Sequence, residues 1–370
     1  MTNLDLFCIG CGASIQTDNP EQSGYVPTSA LENRDSDELY CKRCFRLRHY
    51  NEVADVELTS DDFLNMLNEI TEKNALIINV VDIFDFNGSV IPGIERFAGS
   101  NSVMIVGNKE DILPKSLKRP NLRQWLTERV HELGLRPVEI ELISAVNPKS
   151  VEQLFSKIEK YRGGRDVYVV GTTNVGKSTL INQIINLSTQ TKNLITTSYI
   201  PGTTLGKIEI PLDDGNKLVD TPGIFQKGQL VHLLNEKELK IVTPQKEIKP
   251  RNYQLNPEQT LFFGGLARFD YSKGEEKESF VAYASNELKI HRSKQEKADE
   301  LYHNQVGDLL TPPFEPAKEI TEMKKSVFKV KEPSDIVYSG LGWIKVNSSD
   351  VEVTAYAPKG IDVYIRKALI

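Results

Sequence analysis

One short segment constrains the fold more than any other: Gly171–Ser178, sequence GTTNVGKS, which follows an apolar β-branched run and precedes the helical pattern STLINQIIN. The spacing G-x₄-G-K-S at a strand-to-helix turn is typical of a loop whose backbone N–H groups surround a phosphate. In such a loop Lys177 neutralises the β- and γ-phosphates of a nucleotide, and the Ser178 hydroxyl binds Mg²⁺. The motif also recurs by chance, but here it has the setting that it needs. The predicted nucleotide-binding residues of this segment are Gly171, Thr172, Thr173, Asn174, Val175, Gly176, Lys177, Ser178 and Thr179.

Short apolar runs that end in polar or glycine-containing loops alternate with helical patterns through the middle of the chain. Runs of this kind predict buried parallel strands, and their alternation with helices predicts a doubly wound α/β sheet. Such sheets bind ligands at the carboxyl ends of their strands, where the motifs described here lie. The predicted strands are 75–82, 102–109, 138–145, 166–173, 206–212 and 217–223, and the predicted helices include 61–73, 119–133 and 150–161.

Two further motifs follow the phosphate-binding loop. Asp220, in the run DTPG, ends a predicted strand, where its carboxylate can reach Mg²⁺ and the amide of Gly223 can face the γ-phosphate. Before it, the run PGTT offers threonine hydroxyls at the position of a nucleotide-sensing switch. We select Thr204 over its neighbour Thr203 as the magnesium ligand, although PGTT is also an ordinary turn sequence. Lys177, Thr204 and Gly223 are therefore predicted catalytic residues.

Two motifs upstream of the loop predict which base is bound. Asn108, Lys109 and Asp111, in the run NKED, follow a predicted strand, and the aspartate there can accept hydrogen bonds from N1–H and the exocyclic amine of guanine. Adenine would leave that carboxylate unpaired, which costs on the order of 1–3 kcal/mol in a buried site. Ser144 and Ala145 end the next strand, where a backbone N–H can face guanine O6. The site is therefore predicted to be specific for guanine nucleotides.

The order of these motifs is unusual. An ordinary GTPase carries its phosphate-binding loop first and its base-reading motifs last, whereas here NKED and the Ser-Ala pair precede GTTNVGKS. We therefore predict a circularly permuted P-loop GTPase domain in which the segment 146–165 joins the original ends. The new break falls just after DTPG, so the second switch leads straight into residues 226–370, and we expect the nucleotide to reorient that region.

All four cysteines occur at the N-terminus as two C-x₂-C pairs, Cys8 with Cys11 and Cys41 with Cys44. In a reducing cytosol, two such pairs separated by a long loop predict a four-thiolate zinc site rather than disulfides. Four thiolates close the tetrahedral coordination of the ion, so its role would be structural. Redox cysteines, or cysteines with no shared role, are the alternative.

After about residue 225 the pattern changes to a charged helical stretch, a connector rich in proline and lysine at 243–259, and then strands. A helix near 293–306 between strands predicts an α+β fold. We expect this region to bind RNA or protein. The predicted domains are an N-terminal zinc finger at 1–52, the permuted GTPase domain at 53–226 and the C-terminal α+β domain at 227–370.

The net charge of −6 argues against a protein that simply coats nucleic acid, so RNA contacts have to come from local basic clusters. These clusters are either phosphate contacts to structured RNA or solvated faces. No segment approaches the roughly 18 apolar residues of a membrane span, and the start lacks the pattern of a signal peptide, so we expect a cytoplasmic monomer with no membrane partner. The clusters are Lys42, Arg43, Arg46, Arg48 and His49, and Lys237, Lys240, Lys246, Lys249 and Arg251.

The combined motifs resemble the YqeH family of circularly permuted GTPases: paired C-x₂-C, NKED before GTTNVGKS, PGTT, DTPG and a C-terminal GLGW. The similarity covers essentially the whole chain. What the family implies is a bacterial GTPase acting as a checkpoint in small (30S) ribosomal subunit assembly, with contacts to rRNA and ribosomal proteins. The GLGW segment, with Tyr338 and Trp343, is either a binding surface or a strand-and-turn core.

The resemblance also bears on catalysis. Ile224 follows DTPG, where Ras-like enzymes have a water-orienting glutamine, so intrinsic hydrolysis is expected to be slow. Asn174 occupies the position that helps to hold K⁺ in the potassium-activated GTPases that this loop resembles. Asn174 is therefore a further predicted catalytic residue, with a simple turn residue as the alternative.

Three classes of function follow from these features: a GTPase enzyme in ribosome assembly, an RNA-binding scaffold that retains nucleotide, and a signalling GTPase acting on protein partners. Complete phosphate, magnesium and base motifs favour turnover of GTP to GDP over a scaffold. The cysteine pairs and their basic flanks favour RNA over a purely protein partner. The expected ligands are GTP or GDP, Mg²⁺, Zn²⁺ and K⁺.

Overall fold

The computed structural model describes residues 6, 8, 13–20, 24–32, 39–42, 45, 57–58, 68–91, 93–191, 200–201, 208–224 and 226–369. The chain divides into two compact units, one from residues 1–110 and 123–225 and the other from residues 111–122 and 226–370. The division into three domains stays a prediction. No helix in the described ranges combines the length and apolar character of a membrane-spanning segment.

Up to residue 224, the described chain alternates strands with helices, as the sequence predicts. The strands are β1 (Glu57–Leu58), β2 (Ala75–Asp82), β3 (Ser102–Asn108), β4 (Glu139–Leu142), β5 (Asp166–Gly171), β6 (Ile200–Pro201), β7 (Ile208–Pro211), β8 (Lys217–Asp220) and β9 (Gly223–Ile224). The helices are α1 (Thr28–Glu32), α2 (Phe86–Ser89), α3 (Ile94–Ala98), α4 (Arg119–Glu132), α5 (Pro148–Arg162) and α6 (Lys177–Thr191), with a 3₁₀ helix at Glu110–Ile112. Residues 68–71 form a further helical turn.

Seven of these strands form one sheet in the order β4-β3-β2-β5-β8-β7-β6. The strands from β4 to β8 run parallel, and β7 and β6 continue the sheet antiparallel. On one face, Val151 of α5 and Leu180 of α6 belong to the same apolar core as Leu76 of β2. On the other face, a Cβ added to Gly107 of β3 would lie 2.8 Å from Leu126 of α4. Helices therefore cover both faces, which confirms the α/β fold.

Helix α5 makes the connection that the permuted order requires. Its N-terminus is capped by Asn147, whose side chain accepts a hydrogen bond from the backbone N–H of Lys149, and Pro148 takes the first helical position. The helix ends at Gly163, whose φ of 54° is favoured by glycine. The chain thereby returns from edge strand β4 to central strand β5, which confirms the connection predicted at 146–165.

The second unit consists mainly of antiparallel strands in two five-stranded sheets, ordered β10-β13-β17-β16-β19 and β14-β11-β12-β18-β15. Its strands are β10 (Arg251–Leu255), β11 (Gln259–Phe263), β12 (Ala267–Lys273), β13 (Glu278–Ala284), β14 (Ile290–Lys294), β15 (Met323–Val330), β16 (Ser334–Tyr338), β17 (Gly342–Val346), β18 (Val351–Pro358) and β19 (Val363–Lys367). Its helices are α7 (Glu236–Val242), α8 (Ala298–Gln305) and α9 (Lys318–Thr321), with 3₁₀ helices at Leu230–Leu233 and Gln295–Lys297.

The two five-stranded sheets share one apolar core. Phe269 of one sheet meets Phe280 of the other with ring centroids 5.2 Å apart. Tyr338 and Trp343 are also buried, with exposed fractions of 2 % and 0 %. The GLGW segment is therefore part of a packed strand-and-turn core rather than an exposed binding surface.

This unit is β-rich, whereas the sequence predicts an α+β fold. The difference is clearest in the helix expected at 293–306. Residues 290–294 instead pair with β11 as strand β14, and helix α8 begins only at Ala298. Pairing along β11 satisfies backbone hydrogen-bonding groups at the sheet edge, and this tertiary interaction overrides the local helical pattern.

Candidate functional site

The GTTNVGKS segment turns from the end of β5 into the start of α6. Gly171 is the last residue of the strand and Lys177 the first of the helix. The turn places Asn174 and Gly176 in the left-handed region, with φ of 63° and 85°. At Gly176 a side chain is excluded, because a Cβ would lie 2.4 Å from Nδ2 of Asn108. The segment thus has the predicted strand–loop–helix form.

Lys177 and Asp220 form a buried ion pair beside this loop, with Nζ 2.8 Å from Oδ1. They meet because β5 and β8 are parallel neighbours in which Val169 is paired with Asp220. Their exposed fractions are 2 % and 0 %. Burying two charges is costly and adds little to net stability, so stability alone does not account for the pair. Ser178 follows Lys177 directly, which brings a hydroxyl and a carboxylate, both suited to Mg²⁺, to the same loop.

Asn108 joins three of the predicted motifs through one side chain. Its Nδ2 donates to the carbonyl of Val175 in the phosphate-binding loop at 2.8 Å. Its Oδ1 accepts from the backbone N–H of Ala145 at 2.9 Å. Because Asn108 is only 2 % exposed, water does not replace these bonds easily. The base-reading motifs and the loop therefore form one connected structure despite their permuted order.

Lys109 makes a second link to the loop. Its Nζ donates to the carbonyl of Asn174 at 2.7 Å and to Oδ2 of Asp82 at 2.6 Å. Asp82 ends β2, and its other oxygen accepts from the N–H of Phe84. Asp82 is not among the site residues predicted from the sequence. The signal that would have found it is a carboxylate at the carboxyl end of a central parallel strand.

The remaining base-reading residues follow β3 and β4. Asp111 lies in the 3₁₀ helix after β3 and its side chain is exposed. Ser144 and Ala145 follow β4 and are buried, with exposed fractions of 7 % and 4 %. The N–H of Glu110 donates to the carbonyl of Ile143 at 3.0 Å, which holds the two segments side by side. Of the two backbone N–H groups predicted as donors to guanine O6, that of Ala145 donates to Asn108 in this structure.

The DTPG segment continues into β9, which runs parallel to β1 and pairs Gly223 with Glu57. On its other side, Ile224 forms a β-bridge with Thr172, and its carbonyl accepts from the N–H of Thr173 at 2.9 Å. Ile224 itself is 9 % exposed, so its side chain packs. The second switch is therefore hydrogen-bonded to the phosphate-binding loop.

Three hydroxyl groups at the site have no hydrogen-bond partner among the described residues, although all three are buried. They belong to Ser144, Thr172 and Thr173. An unpaired buried hydroxyl costs on the order of 1–3 kcal/mol, and native proteins pair nearly all such groups. These hydroxyls therefore fit a polar ligand that supplies the missing partners.

Several predicted ligands lie outside the described residues: Thr204 with its neighbour Thr203, and the cysteines Cys11 and Cys44. The two described cysteines lie close together, since the N–H of Cys41 donates to Sγ of Cys8 at 3.2 Å. Both are buried, beside Val26 and Leu39. Where the chain is described, no three His, Cys, Asp or Glu residues group as metal ligands. The zinc site stays a prediction.

The sequence matches two family models, "YqeH-like, C-terminal" over residues 277–369 and "50S ribosome-binding GTPase" over residues 166–256. It is 53 % identical over 367 residues to YqeH of Bacillus subtilis, covering 99 % of each chain. A rice protein named putative nitric oxide synthase is 29 % identical over 98 % of this chain and 77 % of its own. Ribosome biogenesis GTPase A of Bacillus licheniformis is 28 % identical over 42 % of this chain and 57 % of its own. On the full-length identity and the matched GTPase model, the chain belongs to the YqeH family of GTPases, enzymes that hydrolyse GTP.

Proposed function

We propose that the site described above binds GTP with Mg²⁺, hydrolyses it to GDP and phosphate, and thereby controls a step in assembly of the small ribosomal subunit. The observation that carries the assignment of the site is the Asn108 side chain, which bonds to the phosphate-binding loop and to Ala145. Through it, residues from both sides of the permutation contribute to one site.

On the phosphate side, Lys177 neutralises the β- and γ-phosphates, and the Gly223 amide contacts the γ-phosphate. Ser178, Thr204 and Asp220 bind Mg²⁺, which when bound stabilises negative charge on the transferred phosphoryl group. The buried pair of Lys177 and Asp220 supports these roles because it places an ammonium and a carboxylate beside the loop. The loop itself supplies further backbone N–H groups.

On the base side, Asp111 accepts from N1–H and the exocyclic amine of guanine, and Asn108 with Lys109 holds the loops in place. Because the Ala145 N–H already donates to Asn108, the donor that we assign to guanine O6 is the Ser144 hydroxyl, which has no partner in the described part of the chain. Adenine has no N1–H and no 2-amine to donate to Asp111, so this carboxylate is the group that discriminates against adenine.

Catalysis by this site is expected to be slow without activation, because Ile224 offers no polar group to orient water. We assign Asn174 to a K⁺ ion that adds positive charge beside the phosphates. Turnover measured in KCl should then exceed turnover in NaCl of equal ionic strength. Equal rates in the two salts would remove the K⁺ assignment and leave the GTPase assignment intact.

Two observations support a role on the ribosome: the names of a relative and of a matched family model, and the basic clusters of this chain. Ribosome biogenesis GTPase A and the matched model "50S ribosome-binding GTPase" both carry ribosomal names. The motif resemblance points to the 30S subunit and its rRNA, in the cytoplasm, and the four cysteines would hold zinc in a finger beside the first basic cluster. Lys42, in that cluster, is exposed.

Fewer residues of the second basic cluster are available for RNA contact than the sequence suggests. Its four lysines are exposed, as RNA contact requires: Lys237, Lys240, Lys246 and Lys249. Arg251 instead donates to the backbone carbonyls of Leu288 and Ser285 at 2.6 Å and 3.2 Å. Its guanidinium therefore has a structural role, and we remove it from the proposed RNA contacts.

Sedimentation of the full-length protein with purified 30S and 50S subunits, each with GDP or a non-hydrolysable GTP analogue, tests the proposal. We expect binding to 30S that depends on the GTP analogue, and faster hydrolysis in its presence. Binding to 50S alone would overturn the choice of subunit. Hydrolysis without binding to either would favour a signalling GTPase, and nucleotide-independent binding without hydrolysis would favour a scaffold.

A matched pair of variants tests the RNA surface. Removing Lys240, Lys246 and Lys249 together by alanine substitution should weaken 30S binding and reduce its salt dependence. The control removes three exposed lysines from β15, Lys324, Lys325 and Lys329, which lie outside both clusters. Equal weakening by both triple variants would show a general effect of charge and not a specific surface.

A further inference from the structure

Thr173 lies where the phosphate-binding loop meets the second switch. Its backbone N–H donates to the carbonyl of Ile224 at 2.9 Å. Its side chain is close to Gly223, because a Cβ added to that glycine would lie 3.2 Å from Cγ2 of Thr173 and 3.3 Å from its Cα. The methyl group of Thr173 therefore packs against the glycine of the DTPG segment.

The hydroxyl of Thr173 has no partner among the described residues, although the residue is only 4 % exposed. Because unpaired buried hydroxyls are costly, they are rare in native proteins. An exception inside a nucleotide site indicates a partner that arrives with the nucleotide. A hydroxyl can donate to a phosphate oxygen, and a hydrogen bond to a charged acceptor is stronger than one to a neutral acceptor.

The contacts of neighbouring residues indicate which phosphate this is. The carbonyls of Asn174 and Val175 accept from Lys109 and Asn108, on the side of the base-reading motifs. Thr173 instead bonds to Ile224, the residue directly after Gly223, and Gly223 is assigned to the γ-phosphate. The phosphate on the side of Thr173 is therefore the γ-phosphate, which distinguishes GTP from GDP.

We propose that Thr173 senses the γ-phosphate: its hydroxyl donates to a γ-phosphoryl oxygen of GTP, and its methyl group positions the Gly223 amide beside the same group. The inference rests on the proposed function and adds a side chain that discriminates between the two nucleotide states. Thr173 thereby supplies a polar side-chain contact on the side of the site where the side chain of Ile224 has no polar group.

Two variants separate the hydroxyl from the methyl group. Thr173→Val keeps the shape of the side chain and removes the hydroxyl, whereas Thr173→Ser keeps the hydroxyl and removes the methyl group. Affinities of the full-length protein for fluorescent GDP and a fluorescent non-hydrolysable GTP analogue are measured with Mg²⁺. We expect Thr173→Val to lower the affinity for the GTP analogue about tenfold relative to the affinity for GDP. Thr173→Ser should retain most of the wild-type preference for the analogue over GDP.

Thermal unfolding without nucleotide gives a second readout. Because the hydroxyl has no partner among the described residues, Thr173→Val should be at least as stable as the wild type. A clear loss of stability would show a structural partner and overturn the proposal, as would equal weakening of both nucleotides or an unchanged ratio. If the wild type binds neither nucleotide, the proposed function itself fails. Nucleotide binding with an unchanged ratio in Thr173→Val refutes only the role of Thr173.

Discussion

Asp111 is the residue that should decide which base the site accepts. Guanine presents two donors that one carboxylate accepts together, whereas an asparagine amide accepts one and offers a donor to the other. Asp111→Asn should therefore weaken GTP binding by roughly a hundredfold and favour xanthosine triphosphate, which has a carbonyl in place of the amine. Competition titrations with both nucleotides measure this change in base preference.

The control for Asp111→Asn is the unliganded protein. The Asp111 side chain is exposed, so thermal unfolding without nucleotide should be unchanged. Weaker GTP binding with no gain for xanthosine triphosphate would assign the residue a role other than base reading.

Sequence spacing predicts candidate residues of the site but not the contacts that join them. Asn108, Lys109 and Lys177 belong to motifs whose members are close in sequence, so their roles follow from spacing. The bond from Asn108 to Val175 spans 67 positions and depends on how the sheet is assembled. Asp82 ends a strand as many polar residues do, and nothing in its local sequence indicates that it holds Lys109.

Helix α5, which closes the permuted domain, is anchored at its C-terminal end by an ion pair. Arg162 lies 2.7 Å from Oδ2 of Asp214, in the turn between β7 and β8. The hydrogen bond from Arg162 lowers the pKa of Asp214 from 3.8 to about 2. Because the folded-state pKa lies below the unfolded one, this pair stabilises the fold above pH 3.8 and the contribution is lost as pH falls towards 2.

Asp214→Asn should therefore remove part of the acid dependence of stability in that pH range. The free energy of unfolding in urea is measured at pH values above and within this range. It should vary less with pH in the variant than in the wild type. Asp213→Asn, a substitution at the exposed neighbouring carboxylate, controls for the change in net charge. Equal flattening in both variants would show that the general charge of the turn, and not the bond to Arg162, is responsible.

The short strand β9 connects the nucleotide site to the segment that precedes the sheet. It pairs with β1, in which Glu57 and Leu58 are matched to Gly223 and Ile224. If Gly223 contacts the γ-phosphate, the hydrogen bonds of β1 should be sensitive to the nucleotide. Amide exchange at 57–58 should differ between GDP and the GTP analogue.

Strand β4 is a suitable internal control for that exchange experiment, because it forms the opposite edge of the seven-stranded sheet from β6. Its amides should exchange equally with either nucleotide. Exchange at 57–58 that is also unaffected would show that β1 does not respond to the switch.

The length of an element largely decided whether its type could be predicted from the sequence. The strands β2, β3 and β5 have six to eight residues and were predicted as apolar runs ending in polar loops. Strands β1 and β9 have two residues each, which is too few for any periodicity. They form because a partner strand is present, and single-sequence patterns carry no information about that partner.

In the molecule as a whole, the chain passes between the two compact units at three points, after residues 110, 122 and 225. Two of these points adjoin site motifs: the first lies inside NKED, directly before Asp111, and the third follows shortly after Gly223. Permutation therefore makes chain segments of the nucleotide site continuous with the second unit. Ordering of these motifs by GTP should change the arrangement of that unit.

Small-angle scattering of the full-length protein with GDP and with a non-hydrolysable GTP analogue should accordingly give different radii of gyration. A ligand shifts such an equilibrium only by its difference in affinity for the two states, so the same difference should appear as nucleotide-dependent amide exchange near residue 226. Lys177→Ala, which removes the ammonium that we assign to the phosphates, should abolish both effects. Identical scattering and exchange with the two nucleotides in the wild type would show that GTP acts within its own domain, and that the permutation transmits no motion.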